Sequence, residues 1–330
     1  MAIPPATWTT VLLRWSIDPG AALAVGLAGG LYAVGVRRVN RARRATGPFL
    51  RVMVTPQGDD HTQEAEVVPG VTAPNASYAS APMRTWPRSR TVCFGAGLCI
   101  LAFATMSGLA RYDTVLFSLH TLQHVLLGMV APLLLALGAP ITLALQASRR
   151  PMQTVLLRLV HHPVVNALTR PATAWALFGG TLFALYFSPL FDLSLRNPTV
   201  HALVHLHFVV VGVLFCWPAV GVDPMRRPLS HPVRLLYVLL AVPFHAFLGL
   251  AVLSSSAHPL GADVYGHVTR AWGPTLVADQ RTGAGILWAL GDLFGLVAGG
   301  IIAARWVRFD QRRQAREDRR LDAAAIAPSS

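Results

Sequence analysis

Seven long apolar runs dominate this sequence and restrict what the chain can fold into. They cover approximately residues 19–36, 91–110, 114–137, 171–190, 199–220, 232–254 and 282–304. About 20 helical residues span the roughly 30 Å hydrocarbon core of a bilayer, and each run is close to that length. Within lipid, only helices and closed barrels satisfy every backbone hydrogen bond. The runs are too long and too uniformly apolar for barrel strands, which leaves helices. The sequence therefore predicts an all-α polytopic membrane helix bundle with about seven transmembrane helices.

Charge is sparse and is concentrated between the apolar runs. Of the 330 residues, 13% are charged, whereas an average soluble domain carries about a quarter. The formal net charge is +13, and every basic residue is an arginine, which is typical of a GC-rich bacterial genome. Because the arginines stand at the ends of apolar runs, they indicate topology and contact with membrane lipid, and we expect no nucleic-acid partner.

Arginine-rich connections alternate with arginine-poor ones along the chain. Six arginines follow the first run within residues 37–51, four follow the third, three the fifth and seven the seventh, whereas the intervening connections hold one, one and two. By the positive-inside rule the rich connections face the cytoplasm. We therefore expect a multi-pass protein of the bacterial plasma membrane, with its N-terminus outside and its C-terminus in the cytoplasm.

Composition divides the chain into four parts. Residues 1–36 hold an N-terminal segment and the first transmembrane helix, which lacks the basic flank of a cleaved signal. Residues 37–90 are rich in Pro, Ser, Thr and Ala without periodicity, which predicts a flexible cytoplasmic connection. Residues 91–304 form a six-helix transmembrane core. Residues 305–330 are a basic cytoplasmic tail suited to anchoring on the anionic inner leaflet.

Histidines are numerous for so apolar a chain, and eight of the twelve fall in the outer half of the predicted topology. The third run opens with His120 and His124, and the fifth opens with His201 and His205. The i, i+4 spacing puts each pair on one helix face. Both helices enter from outside, so we expect these imidazoles to meet in one layer beneath the outer surface.

Two more histidines and a group of polar residues extend this candidate site. His207 lies about 200° from His205 around the helix and should face a different neighbour. His245 stands about nine residues, or roughly 13 Å, from the outer end of its helix. The seventh run contributes a further polar site consisting of Asp279, Arg281, Trp288 and Asp292.

Clustered imidazoles with nearby carboxylates suit a transition metal, and copper is favoured by imidazole together with soft thioethers. Met106 and Met129 are the candidate thioethers. The alternative is that the histidines only hydrogen-bond between helices, at about 0.6 kcal/mol each. The predicted metal ligands are His120, His124, His201, His205, His207 and His245.

No catalytic motif stands out in the sequence. There is no Ser-His-Asp order with supporting context, no nucleotide-binding Gly-rich loop and no HExxH. The three cysteines form no CxxC, so neither a disulfide framework nor a zinc site is indicated. We expect a protein that is not an enzyme.

In combination, several motifs resemble the CtaG family of caa-type cytochrome c oxidase assembly factors. These motifs are His120-Thr121-Leu122-Gln123-His124, Leu137-Gly138-Ala139-Pro140, His201-x3-His205-Leu206-His207-Phe208, Cys216-Trp217-Pro218, Gly221-Val222-Asp223-Pro224, and Asp279-Gln280 with Trp288 and Gly291-Asp292. The resemblance covers roughly residues 91–310 and the first run. Thr121 and Val125 depart from it, because methionines are expected there. Cys216 stands where a Trp is expected, and Ile286-Leu287 stands where a Met usually precedes the Trp.

The resemblance implies a membrane assembly factor that handles or delivers copper at the extracytoplasmic face. Its partners would be cytochrome c oxidase subunits or another copper chaperone, and the histidines above would be the copper ligands. Two other functions stay open. Two histidines on different helices could hold a b-type haem. A copper or proton transporter would need a polar path through the bilayer, which the apolar inner halves of the runs disfavour.

Overall fold

The structure is a computed structural model that describes residues 4–45 and 85–326. Within these ranges the regular secondary structure is helical and no strand is present. Six helices are long and apolar enough to cross a membrane, or seven if one bent pair counts as a span. The predicted all-α polytopic bundle is confirmed. Most of the predicted connection at 37–90 lies outside the described residues.

The described residues form sixteen α-helices, one π-helical turn and one 3-10 turn. In chain order the α-helices are α1 Trp8–Leu13, α2 Pro19–Ala45, α3 Arg88–Met106, α4 Leu109–Tyr112, α5 Phe117–Val125, α6 Ala131–Leu137, α7 Pro140–Ala147, α8 Arg150–Val160, α9 Pro163–Leu168, α10 Pro171–Tyr186, α11 Leu190–Arg196, α12 Pro198–Val220, α13 His231–Leu239, α14 Ala241–Ser254, α15 Ala262–Tyr265 and α16 Leu276–Ile326. The π turn covers Leu126–Val130, and the 3-10 turn covers Ser255–Ala257.

Two helices continue beyond the apolar runs that predict them. α2 extends through the arginines after residue 36 to Ala45. α16 runs unbroken from Leu276 to Ile326, so the seventh span and the described part of the basic tail are one helix. The tail continues the helix because residues 301–326 contain no glycine or proline and are rich in Ala and Arg, which are strong helix formers.

The fourth run is not one straight helix. α10 and α11 meet at an angle of 72°. Pro189 stands at the break, where its ring and missing N–H prevent the helix from continuing. With 16 residues α10 is about 24 Å long, so it falls short of the hydrocarbon thickness by itself. The bend turns α11 inward and brings Phe191 against His120, with ring centroids 5.3 Å apart.

The third span, composed of α5, the π turn, α6 and α7, is the most buried of the six spans. α5 packs on α16, and α6 packs on α3 and α12. Pro132 has no N–H to give to the Gly128 carbonyl, and the π turn Leu126–Val130 accommodates this defect. α12 crosses at this point through Gly212, where a Cβ atom would lie 2.2 Å from the Gly128 oxygen. This crossing fixes α12 against the third span.

Candidate metal centre

Four imidazoles from two helices form one layer, which we call the histidine layer: His120 and His124 of α5, and His201 and His205 of α12. Within each helix the ring centroids are 4.2 Å apart for His120 and His124 and 4.3 Å apart for His201 and His205. Across the helices they are 5.3 Å apart for His120 and His201 and 5.7 Å for His124 and His205. The i, i+4 spacing and the Gly128–Gly212 crossing together bring the rings into contact.

The Nδ1 atom of each imidazole on α5 has a hydrogen-bond partner in the protein, which orients the ring. His120 Nδ1 is 3.2 Å from the Asp113 carbonyl oxygen. A carbonyl can only accept, so Nδ1 carries the proton and Nε2 of the neutral ring holds a free lone pair. His124 Nδ1 is hydrogen-bonded to the Tyr186 hydroxyl at 3.0 Å. Metal-binding histidines typically have such a partner on their second nitrogen.

The Nε2 atoms of all four rings are buried and lack a hydrogen-bond partner among the described residues. Leaving a buried polar atom unpaired is costly, and native proteins rarely do so without a reason. Four such nitrogens in contacting rings match the donor set of a copper or zinc ion, which imidazole nitrogens ligate. The residues present therefore fit a transition metal.

Asp113, in the connection between α4 and α5, adds an oxygen donor to the histidine layer. One carboxylate oxygen lies 3.4 Å from His201 Nε2, without hydrogen-bond alignment. Donor atoms of Asp113, His201 and His205 all lie within 4.8 Å of one another. The Asp113 carbonyl also accepts from the Tyr265 hydroxyl at 2.9 Å. The pKa of Tyr265 is raised well above its usual value, mainly because the side chain is buried and also because the Asp113 charge is near. The Tyr265 hydroxyl therefore keeps its proton and donates.

Asp279, a predicted polar site residue, caps the helix that carries His120. Its carboxylate accepts from the Phe117 N–H at 2.6 Å, from the Ser118 N–H at 3.4 Å and from the Ser118 hydroxyl. The first N–H groups of a helix have no partner within the helix, so a carboxylate from α16 satisfies them. Asp279 therefore positions α5 and uses its oxygens on the backbone.

Two predicted ligands lie away from the histidine layer. His207 is exposed, and its Nε2 is hydrogen-bonded to the Thr181 hydroxyl at 3.0 Å, in agreement with its position on the helical wheel. His245 lies deeper in α14, where its ring contacts Phe178 and Phe244. Its Nδ1–H donates to the Ala241 carbonyl at 2.7 Å. The structure therefore brings together four of the six predicted histidines.

The other predicted polar residues do not join the histidine layer either. Arg281 is exposed, and the Trp288 side chain is 46% exposed on the outer surface of α16. Asp292 is half-buried with one unpartnered oxygen, and it follows Gly291, against which the His245 ring packs. They are separated from the histidine layer because α16 turns these positions toward lipid or toward α14.

Sequence reasoning missed Asp113, Tyr186 and the role of α11. Asp113 had a detectable signal, because it is an acidic residue seven positions before His120 in a chain with few charges. Tyr186 ends α10, and Phe191 lies in α11 just beyond the fourth run; no local pattern marks them as neighbours of His124 and His120.

A cavity of about 410 Å³ lies beside His205, between α2, α3 and α12. Asp18 and Gly20, both exposed, line its outer end, and Thr105 and Leu206 line its wall. Below the histidine layer, the gap next to His124 has a volume of only about 10 Å³. The larger space beside the layer therefore lies to the side, between α2, α3 and α12.

Residues 75–309 match the cytochrome c oxidase caa3 assembly factor family. The match includes the histidine layer and Asp113, and the first span lies outside it. It confirms the resemblance found in the motifs.

Uncharacterised proteins of mycobacteria are similar to most of this chain. Those of Mycobacterium bovis and Mycobacterium tuberculosis are 37% identical over 256 residues, which is 75% of this chain and 39% of theirs. That of Mycobacterium leprae is 36% identical over 245 residues, or 72% of this chain and 37% of the relative. The chain thus spans about two fifths of the length of these relatives. No solved structure matches it.

Proposed function

This chain belongs to the cytochrome c oxidase caa3 assembly factor family, and we propose that it serves assembly by binding copper in the histidine layer and passing the ion to the oxidase. Its partners are then cytochrome c oxidase subunits or another copper chaperone, and the protein is not an enzyme. The copper ion is cargo, which is bound and released without a chemical reaction on the protein.

The unpartnered nitrogens of His120, His124, His201 and His205 carry this proposal. Each buried polar atom without a partner costs about 1–3 kcal/mol. Four such nitrogens would therefore destabilise the fold considerably if the histidines served only for packing. Histidines that merely join two helices would use these nitrogens in hydrogen bonds across the interface. A bound metal ion would give such nitrogens a partner, and donor atoms of His201, His205 and Asp113 already lie within 4.8 Å of one another.

The depth and surroundings of the histidine layer suit transfer to a partner. His120 and His201 each stand three residues inside their helices, roughly 5 Å from the helix start. In the predicted topology this end faces the extracytoplasmic side. The cavity between Asp18 and His205 supplies a lateral approach to the ligands.

The geometry supports neither of the other functions. A b-type haem needs a flat slot between two axial imidazoles, whereas the rings of His120, His124, His201 and His205 pack directly against one another. A transporter needs a continuous polar path. The gap below the layer is lined by residues such as Val125, Met129 and Leu182, and it is barely large enough for one water molecule.

Copper loading of the purified 330-residue chain tests the proposal. Wild-type protein in detergent, stripped of metal and then dialysed against copper, should retain about one copper ion per chain if the four imidazoles act as one site. The double variant His120→Ala/His205→Ala should retain none. The matched control is His161→Ala/His162→Ala, an exposed pair at the opposite end of the bundle.

Two results would overturn the proposal. One is full copper loading of the His120→Ala/His205→Ala protein. The other is a Soret band in the protein as purified, which would assign the histidines to haem. In cells, deletion of the gene should lower oxidase activity and the copper content of the oxidase, and added copper should restore both in part.

A further inference from the structure

We propose that the Asp113 carboxylate is a direct ligand in the histidine layer and that the site therefore holds Cu(II) in preference to Cu(I). This inference rests on the proposed function, because it assigns a ligand and an oxidation state to the same copper site. It concerns a residue that lies on neither histidine helix.

The position of the Asp113 side chain is the first argument. The Asp113 side chain is buried. One of its oxygens lies within 4.8 Å of a His201 nitrogen and of a His205 nitrogen, and these two nitrogens are within 4.8 Å of each other. Two ligands at about 2.0–2.2 Å from one ion are at most about 4.4 Å apart, so small side-chain shifts bring these three atoms around one ion. The carboxylate belongs to the connection that precedes α5, on the outer side of the layer.

The charge of Asp113 is the second argument. A buried carboxylate needs a cation or several hydrogen bonds to offset its lost hydration. Among the described residues, its side-chain partner is His201, at 3.4 Å and without hydrogen-bond alignment. Arg111, two residues earlier, is exposed and makes no ion pair with it within the described ranges. A divalent ion next to the oxygen supplies the missing positive charge.

The backbone of Asp113 is held separately from its side chain. The carbonyl accepts from Tyr265 at 2.9 Å and from His120 Nδ1 at 3.2 Å. These bonds fix where the residue stands and leave the carboxylate available for the ion. They also mean that a change of the side chain alone preserves the backbone contacts.

The donor types decide the oxidation state. Imidazole nitrogens and a carboxylate oxygen suit Cu(II), which favours tetragonal nitrogen and oxygen ligands, whereas Cu(I) selects thiolates and thioethers. Met129 stands five residues after His124, roughly 7 Å further along its helix, and lines the small gap beneath the layer. Cys216 stands eleven residues after His205, roughly 16 Å further along α12. Among the described residues, Met106 at the end of α3 is the remaining thioether of the outer half, and it is tested directly.

Competition with chelators specific for each oxidation state tests this inference on the full chain in detergent. Wild-type protein should bind Cu(II) more tightly than Cu(I), with an EPR signal of nitrogen-ligated Cu(II). Asp113→Asn should weaken Cu(II) binding at least about tenfold, because even outer partners of metal ligands contribute ten- to hundredfold. Cu(I) binding should change little. Asp113→Glu restores the carboxylate and should recover much of the Cu(II) affinity.

Two controls make the outcome specific. Asp263→Asn removes an exposed acid that pairs with Arg196 at the same end of the bundle, and it should have no effect. Met106→Leu should also leave both affinities unchanged. Melting curves of the metal-free variants identify any that fail to fold, and Asp113→Glu then carries the test.

The inference is overturned if Asp113→Asn binds Cu(II) like the wild type, if Cu(I) binds more tightly than Cu(II), or if Met106→Leu lowers copper affinity. Its failure is distinguishable from that of the proposed function. In each of these three results copper still binds to the histidine layer. A chain that binds neither Cu(II) nor Cu(I) would refute the copper site itself.

Discussion

The substitution Gly212→Ala tests whether the helix crossing holds the histidine layer together. Gly212 of α12 lies against Gly128 of the third span. Gly128 is four residues after His124, and Gly212 is seven residues after His205. A Cβ atom at position 212 would stand 2.2 Å from the Gly128 oxygen and 2.6 Å from Pro132 Cγ. One methyl group therefore cannot be added without moving a helix.

The size of the expected effect follows from these distances. Real Cβ contacts are almost never shorter than 3.0 Å, so α12 must move from the third span by roughly 1 Å. Such overpacking typically destabilises a protein by about 1–3 kcal/mol. Metal–ligand distances tolerate about 0.2 Å. We therefore expect copper affinity to fall by about ten- to hundredfold, comparable to the loss of a supporting contact around a metal site.

The assay combines Cu(II) chelator competition with thermal melting of the metal-free protein. The matched control is Gly180→Ala in α10, where a Cβ atom meets nothing within 4 Å. Since alanine is a better helix former than glycine by up to about 1 kcal/mol, the control should be as stable as the wild type or slightly more stable. If Gly212→Ala matches the control in both melting and copper affinity, the crossing does not set the geometry of the layer.

Two further substitutions separate positioning residues from ligands. Asp279→Ala should lower stability by about 1–2 kcal/mol, because it leaves the first N–H groups of α5 without a cap. It should weaken copper binding less than removal of His120. Asp310→Ala, an exposed change on the same helix, is its control, and equal melting temperatures for the two would contradict the capping role. His207→Ala should retain full copper loading, because its ring bonds to Thr181 outside the layer; lost loading would require another ligand set.

The helical class, the positions of the spans and the pairing of histidines along each helix were predictable from sequence. They depend on local periodicity, and His120 with His124 must share a face wherever their helix lies. The arginine pattern predicts orientation for a similar reason, since it depends on which loop each residue occupies. The break at Pro189, near the end of the fourth run, was not predicted from the sequence, and neither was its angle.

The completed site could not be predicted, because it depends on how helices pack around one another. His245 and His207 have the same chemistry as the four clustered histidines, and only the rotation and depth of their helices exclude them. Asp113 joins the layer through a connection without periodicity, held by Tyr265 from far along the chain. The sequence thus determined which faces carry imidazoles. Close packing at Gly128 and Gly212 decided which faces meet, because contact between helices is set by side-chain volume and not by spacing along one chain.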